Sequence, residues 1–145
     1  MKKIILAAIV LSFSFCAFAK EPTVNEKVLN AFNKTFKDVQ DLSWSETENS
    51  YQANFKQYQM IARVIYDKEG NIVQTFRYYF EQQLPIMVLA KVKARFSDKK
   101  IYGVTEVSSE EGLYYYITLE DEKKWIEVKA DNYGSVTVEK KFNKA

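Results

Sequence analysis

Histidine is absent from this 145-residue chain, and cysteine occurs once, at Cys16. Without an imidazole there is no Ser-His-Asp or Cys-His nucleophile and no histidine-bound metal. Glycine is scarce, with four residues, and none of them belongs to a Gly-rich phosphate loop. A large excess of one charge is missing as well. The 21 basic residues outnumber the 19 acidic ones only through Lys2 and Lys3 at the very start. The clustered positive charge of a nucleic-acid footprint is therefore lacking, and no nucleic-acid partner is expected. What remains for chemistry is carboxylates, lysines and an unusual number of aromatics, including ten Tyr and ten Phe.

The long hydrophobic run of a membrane span is missing too. The apolar stretch from Ile4 to Phe15 is short for a bilayer, follows the basic pair Lys2-Lys3, and runs into Ala17-Phe18-Ala19, a small-x-small cleavage pattern. Residues 1–19 read as a secretion signal, so the expected protein is periplasmic or secreted, with no membrane span after cleavage behind Ala19. Cys16 invites a lipid anchor, but Phe15 stands where a small residue is needed, and the later cleavage site explains the region better. Removing the signal removes the sole cysteine. No disulfide then supports the mature chain, although export would permit one. A remainder of about 126 residues is long enough to build one compact core.

That remainder says nearly the same thing twice. Phe36, Trp44, Glu46, Tyr51 and Asp67-Lys68-Glu69-Gly70 are followed by Phe96, Val104, Glu106, Tyr115 and Asp131-Asn132-Tyr133-Gly134. The offset is 60 residues up to Glu46/Glu106 and 64 from Tyr51/Tyr115 onward. Each half opens on an amphipathic helix. Val28, Leu29, Phe32 and Phe36 share one face in the first, where Thr23-x-x-Glu26 has the form of a capping box and a helix over 23–38 is predicted. Val88, Leu89, Val92 and Phe96 do so in the second, where Pro85 suits the first turn. Strands follow in the same order. There is a short one at Trp44 or Val104–Val107, then an alternating one at Tyr51–Phe55 or Leu113–Leu119. A hairpin turning at Asp-x-x-Gly closes each half. The expected class is α+β, a tandem repeat of a helix plus a four-stranded antiparallel sheet, with the helices on one sheet face. Residues 20–82 form the first repeat and 83–145 the second. Segment 80–84 lacks the composition of a flexible linker, so the halves should pack as one unit, and one continuous sheet would satisfy this.

The helix, Phe36, the Val39-Gln40-Asp41-Leu42-Ser43-Trp44 segment, the strand Tyr51-Gln52-Ala53-Asn54-Phe55 and the turn Asp67-x-x-Gly70 resemble the PepSY-like family of secreted bacterial proteins. The resemblance implies a fold similar to that of the proteinaceous β-lactamase inhibitors, in which two helix-plus-sheet units present a concave sheet surface. It implies no catalytic residues, because the shared motif is structural. The second half departs from the pattern, with Val104 in place of the Trp and Ala130 where Tyr66 stood.

Glu46 and Glu106 are repeat-equivalent and could form an acid–base pair. The plainer reading is that both follow a buried position on a short strand and point to water. Glu110-Glu111 and Glu120-Asp121-Glu122 are acidic loops without calcium-loop spacing, better read as solvated turns. No metal, cofactor or catalytic residue is expected, and the chain reads as a non-enzyme. Trp44 and Trp125 read as core and sheet packing. Tyr78-Tyr79-Phe80 and Tyr114-Tyr115-Tyr116 put rings on both faces of their strands, of which only one can lie under a helix. Tyr combines stiff contact area with a polar tip and suits interfaces. The sequence therefore predicts a monomeric binding module that presents a sheet face, through Arg77, Tyr79, Tyr114 and Tyr116, to a protein or peptide of the cell envelope. By the resemblance, that partner includes an enzyme it inhibits. The alternative is a small-molecule carrier with a pocket between sheet and helices.

Overall fold

The computed structural model describes residues 22–144, so the expected leader, residues 1–19, lies outside the described residues. Helix α1 (Glu26–Thr35) precedes strands β1 (Gln40–Glu46), β2 (Ser50–Gln57), β3 (Met60–Asp67) and β4 (Ile72–Tyr79). A 3-10 turn at Glu81–Gln83 leads to α2 (Ile86–Arg95) and to β5 (Lys100–Ser109), β6 (Gly112–Glu120), β7 (Lys124–Asp131) and β8 (Val136–Asn143). The eight strands form one antiparallel sheet in the order β1 to β8. The class is α+β as expected. The two expected four-stranded sheets are one, because β4 pairs with β5 from Gln74↔Ser109 to Tyr79↔Val104.

Helix α1 begins later than the Thr23-x-x-Glu26 pattern suggests. Asn25 is the cap: its Oδ1 accepts the Val28 N–H at 3.0 Å, while its Nδ2 donates to the Lys68 carbonyl at 2.9 Å. The side chain that starts the helix thus also ties it to the β3–β4 turn. The Phe36 N–H closes the last turn on the Phe32 carbonyl, and Asp38 at φ 54° ends any continuation. Both β1 and β5 run longer than the short strands expected, since each pairs along most of a long neighbour.

Side chains alternate across a strand, so the register assigns every residue a face. Ala53, Val64, Thr75 and Ser108 lie in one row, and Ala62, Arg77, Glu106, Tyr115 and Ala130 in the next, all on the helix side. Val28 and Phe32 of α1 pack on Tyr51, Ala53, Phe55, Val64 and Tyr66, and Trp44 closes the edge of this cluster. Its Trp44 ring meets Phe32 edge-on at 5.2 Å. Val88 and Val92 of α2 pack on Val104, Ile117, Leu119, Ile126 and Val128. The centre of β4, at Thr75 and Arg77, belongs to neither cluster.

Candidate functional site

The face opposite the helices is covered by no other element among the described residues. Its rows can be read from the pairing. Arg63, Phe76, Val107, Tyr114 and Asp131 form one, and Ile61, Tyr78, Thr105, Tyr116 and Lys129 the next. Phe76, Tyr78, Tyr114 and Tyr116 are each half-buried by their neighbours and show the rest to water. Two cations sit on these rings. The Arg63 guanidinium lies 5.7 Å from the Phe76 centroid, and Lys129 Nζ lies 3.9 Å from Tyr114. Such contacts hold the rings in place at an exposed site. A second aromatic group occupies the β5–β8 end of the same face. Trp125 meets Tyr102 edge-on at 4.8 Å and lies opposite the exposed Phe142 on β8.

The four residues singled out in the sequence are therefore divided between two faces. Tyr114 and Tyr116 lie on the open one. Arg77 and Tyr79 lie on the helix side, where Tyr79 is only 6% exposed. Sequence reasoning missed Phe76 and Tyr78, the neighbours of Tyr114 and Tyr116 on the open face; a register counted from the Asp67–Gly70 turn misses them too, because a shift between Ile65 and Tyr66 moves β4 by one residue. Trp44 is core, as expected. Trp125 is half-buried on the open face and not beneath a helix.

The helix side has its own constellation. Glu106, expected to point to water, is 6% exposed. It faces Arg77 directly across β4–β5 and takes hydrogen bonds from Arg77 Nε at 2.9 Å, from Arg77 Nη2, and from the Tyr79 hydroxyl at 2.6 Å. A carboxylate out of water needs such donors, and here both oxygens are engaged. Burial pushes the Tyr79 phenol well above its ordinary value, and the bond to Glu106 adds to the shift. Tyr115, across from Glu106 on β6, is raised by burial and by the same negative charge. Glu46 instead lies at the exposed end of β1 and pairs with Lys68. The two glutamates that the sequence suggested as a pair are not brought together.

Beside Arg77 a cleft of about 350 Å³ opens between the two helix-packed clusters. Phe36 and Phe55 wall it on the α1 side and Leu113 on the other, while Thr75, Arg77 and Ser108 line its polar floor. A wider groove, of about 860 Å³, lies at the β6–β7 turn among lysines and acids, of which Lys99 pairs with Asp98 and Asp121, and Lys144 with Glu120. There Lys99 holds the Asp121 carboxyl down to about 2, helped by the backbone N–H groups of Lys123 and Lys124. Within the acidic run 120–122, Glu120 and Asp121 are thus engaged in ion pairs, and Asp121 in its own turn as well. Among the described residues no group of three or more metal-ligating side chains is gathered.

The sequence matches no family model and no curated protein. The likeness is to solved structures. A BLIP-like protein of Bacteroides fragilis aligns with a TM-score of 0.68 at 16% identity, over 86% of this chain and 90% of that one. A provisionally periplasmic protein of Bacteroides eggerthii gives 0.64 at 20% identity, over 84% and 90%. A DUF2874 family protein of Bacteroides ovatus gives 0.65 at 18%, over 84% and 89%. At these identities the likeness shows a BLIP-like α+β fold. It leaves the PepSY-like resemblance without a matching family model.

Proposed function

We propose that this protein is a non-catalytic binding module of the bacterial envelope, which docks a protein or peptide on its open sheet face and inhibits an enzyme among its partners. The observation that carries this reading is the uncovered pair of rows holding Phe76, Tyr78, Tyr114 and Tyr116, braced by Arg63 and Lys129. Stiff aromatic rings on a preformed sheet lose little entropy on binding and offer large contact area. The BLIP-like fold of the neighbours supports a protein as the partner, and the provisional name of one of them supports the periplasm. No helix among the described residues is long and apolar enough to cross a membrane. The reading takes the chain as exported, monomeric and cleaved after Ala19, on the basic start at Lys2-Lys3 and the Ala17-Phe18-Ala19 pattern.

The two halves, in this reading, descend from one duplicated unit. Trp44 opposes Ala53 where Val104 opposes Ile117, and Tyr51 opposes Tyr66 where Tyr115 opposes Ala130. In the first of these, the small partner of Trp44 becomes the larger Ile117 opposite Val104, which offsets part of the volume change. In the second, Ala130 stands for Tyr66 opposite a retained tyrosine, so the two halves are packed differently there.

The test is capture from envelope extract by wild type, by Tyr114→Ser/Tyr116→Ser, and by Ile86→Ser on the exposed flank of α2. The expected result is a partner retained by wild type and by Ile86→Ser but lost from the double variant. Equal recovery by all three removes the open face from the function.

A further inference from the structure

The cleft beside Arg77 lies on the opposite side of the sheet from the proposed docking face, and its chemistry is different. The centre of β4, at Thr75 and Arg77, lies between the two helix-packed clusters, while its end at Tyr79 belongs to the α2 cluster. Its helix-side residues are polar, and their surroundings are not. Thr75 and Ser108 face each other across β4–β5, and among the described residues neither hydroxyl makes a hydrogen bond. Phe36, Phe55 and Leu113 rise around them. A volume near 350 Å³ is at the lower end of the roughly 300–1,000 Å³ typical of small-ligand sites.

The charges decide which ligand fits. Glu106 is sealed from water, and both of its oxygens are occupied by Arg77 and Tyr79. It has little left to offer an amine. Arg77 is different. It spends Nε and one Nη2 hydrogen on Glu106, and its side chain remains 47% exposed at the cleft. Its remaining N–H groups form hydrogen bonds to nothing else among the described residues, and the bond to Glu106 fixes the plane in which they project. A guanidinium held in this way presents the fork that matches a carboxylate.

We propose that this cleft binds a small amphipathic carboxylate. Its chain or ring lies among Phe36, Phe55 and Leu113. Its carboxylate meets the outward N–H groups of Arg77 and the hydroxyls of Thr75 and Ser108. Tyr79 and Glu106 are positioning residues that hold the guanidinium; Glu106 also lines the cleft, with both of its oxygens already taken by Arg77 and Tyr79. This site is independent of the open-face reading.

Octanoate is the probe, with 1-octanol as its uncharged counterpart, titrated into the full mature protein. Calorimetry and amide NMR shifts serve as readouts. Saturable octanoate binding is expected, with shifts centred on Thr75, Arg77 and Ser108, and with weaker binding of 1-octanol. Arg77→Gln should weaken octanoate about tenfold while leaving 1-octanol unchanged. Because Arg77→Gln also disturbs Glu106, Ser108→Leu provides a second arm. It fills the cleft from a half-exposed position without touching the ion pair, and should abolish binding of both probes. Tyr114→Ser/Tyr116→Ser should bind octanoate as wild type does, which separates this site from the docking face. The proposal is overturned if wild type shows no saturable octanoate binding. It is equally overturned if Ser108→Leu leaves binding intact, or if octanoate and 1-octanol bind alike.

Discussion

Tyr66 carries a buried side-chain oxygen with no partner among the described residues. The ring is fully buried, against Trp44 and beneath α1, and burial pushes the phenol up to about 12. A hydroxyl taken out of water without a hydrogen bond costs about 1–3 kcal/mol. Tyr66→Phe keeps the ring and removes the orphan, so it should stabilise the protein by about 1 kcal/mol, read as a raised urea midpoint. Glu106 is the opposite case, a buried group fully served. Arg77→Met would strip one of its oxygens and should cost about 2–3 kcal/mol. The double change Arg77→Met/Glu106→Leu removes the charge together with its partner and should recover most of that loss in the same measurement. The sequence offered no warning of this pair. Glu106 stands two residues after the buried Val104, so alternation itself puts it on the helix side, and the expectation that it points to water overlooked this. What the local pattern does not show is its partner, Arg77, which meets it across β4–β5 as a fact of register.

At the scale of elements, the two Asp-x-x-Gly turns do more than reverse the chain. In each, the aspartate Oδ1 accepts backbone N–H groups two and four residues on, from Glu69 and Asn71 to Asp67 and from Tyr133 and Ser135 to Asp131. Each turn then tucks against a helix. A Cβ on Gly70 (φ 93°) would stand 3.0 Å from the Lys27 backbone carbonyl oxygen of α1. One on Gly134 (φ 80°) would strike the Lys91 side chain, whose Nζ bonds the Tyr133 carbonyl. A positive φ alone costs a residue with a Cβ about 1–3 kcal/mol. The flexible Lys91 can move aside and the α1 backbone cannot. Gly70→Ala should therefore cost more than Gly134→Ala, by about 1 kcal/mol in thermal unfolding. Much of this level was legible. The helix faces, the hairpins and both turn glycines follow from periodicity and turn chemistry. Strand β4 was not, because its pattern is inverted. Phe76 and Tyr78 face the open side while Thr75 and Arg77 face the helices, so the rule that the apolar side is the covered side assigns the wrong face. The inversion follows from the one-residue register shift between Ile65 and Tyr66, which turns every later residue of β4 to the other face. A bulge of this kind leaves no mark on the strand's own alternation.

For the whole molecule, the missing histidine has a thermodynamic consequence. Most of the shifted groups titrate well away from neutrality. Asp121 is held down to about 2, and Asp67 and Asp131 are lowered by the hydrogen bonds of their turns. A carboxyl whose folded value lies below its unfolded one contributes stability that is fully present above the unfolded value. That contribution is lost as pH falls through the folded value. For Asp121 this window runs from the ordinary 3.8 down to about 2. At the other end, Tyr66 is raised from 10.0 to about 12, and Tyr79 and Tyr115 are raised as well. An acid whose folded value lies above its unfolded one contributes stability that is intact below the unfolded value and is lost as pH rises through the folded one. Between the two ranges no side chain among the described residues has an ordinary value that would titrate. The urea midpoint of the mature protein should therefore be level from about pH 5 to 9, fall below about pH 4, and fall again above about pH 10. Tyr66→Phe should blunt the alkaline fall and leave the acid limb unchanged. A slope between pH 6 and 7 would show that a group other than these carboxylates and phenols governs stability. An unchanged alkaline limb in Tyr66→Phe would move that effect to Tyr79 and Tyr115.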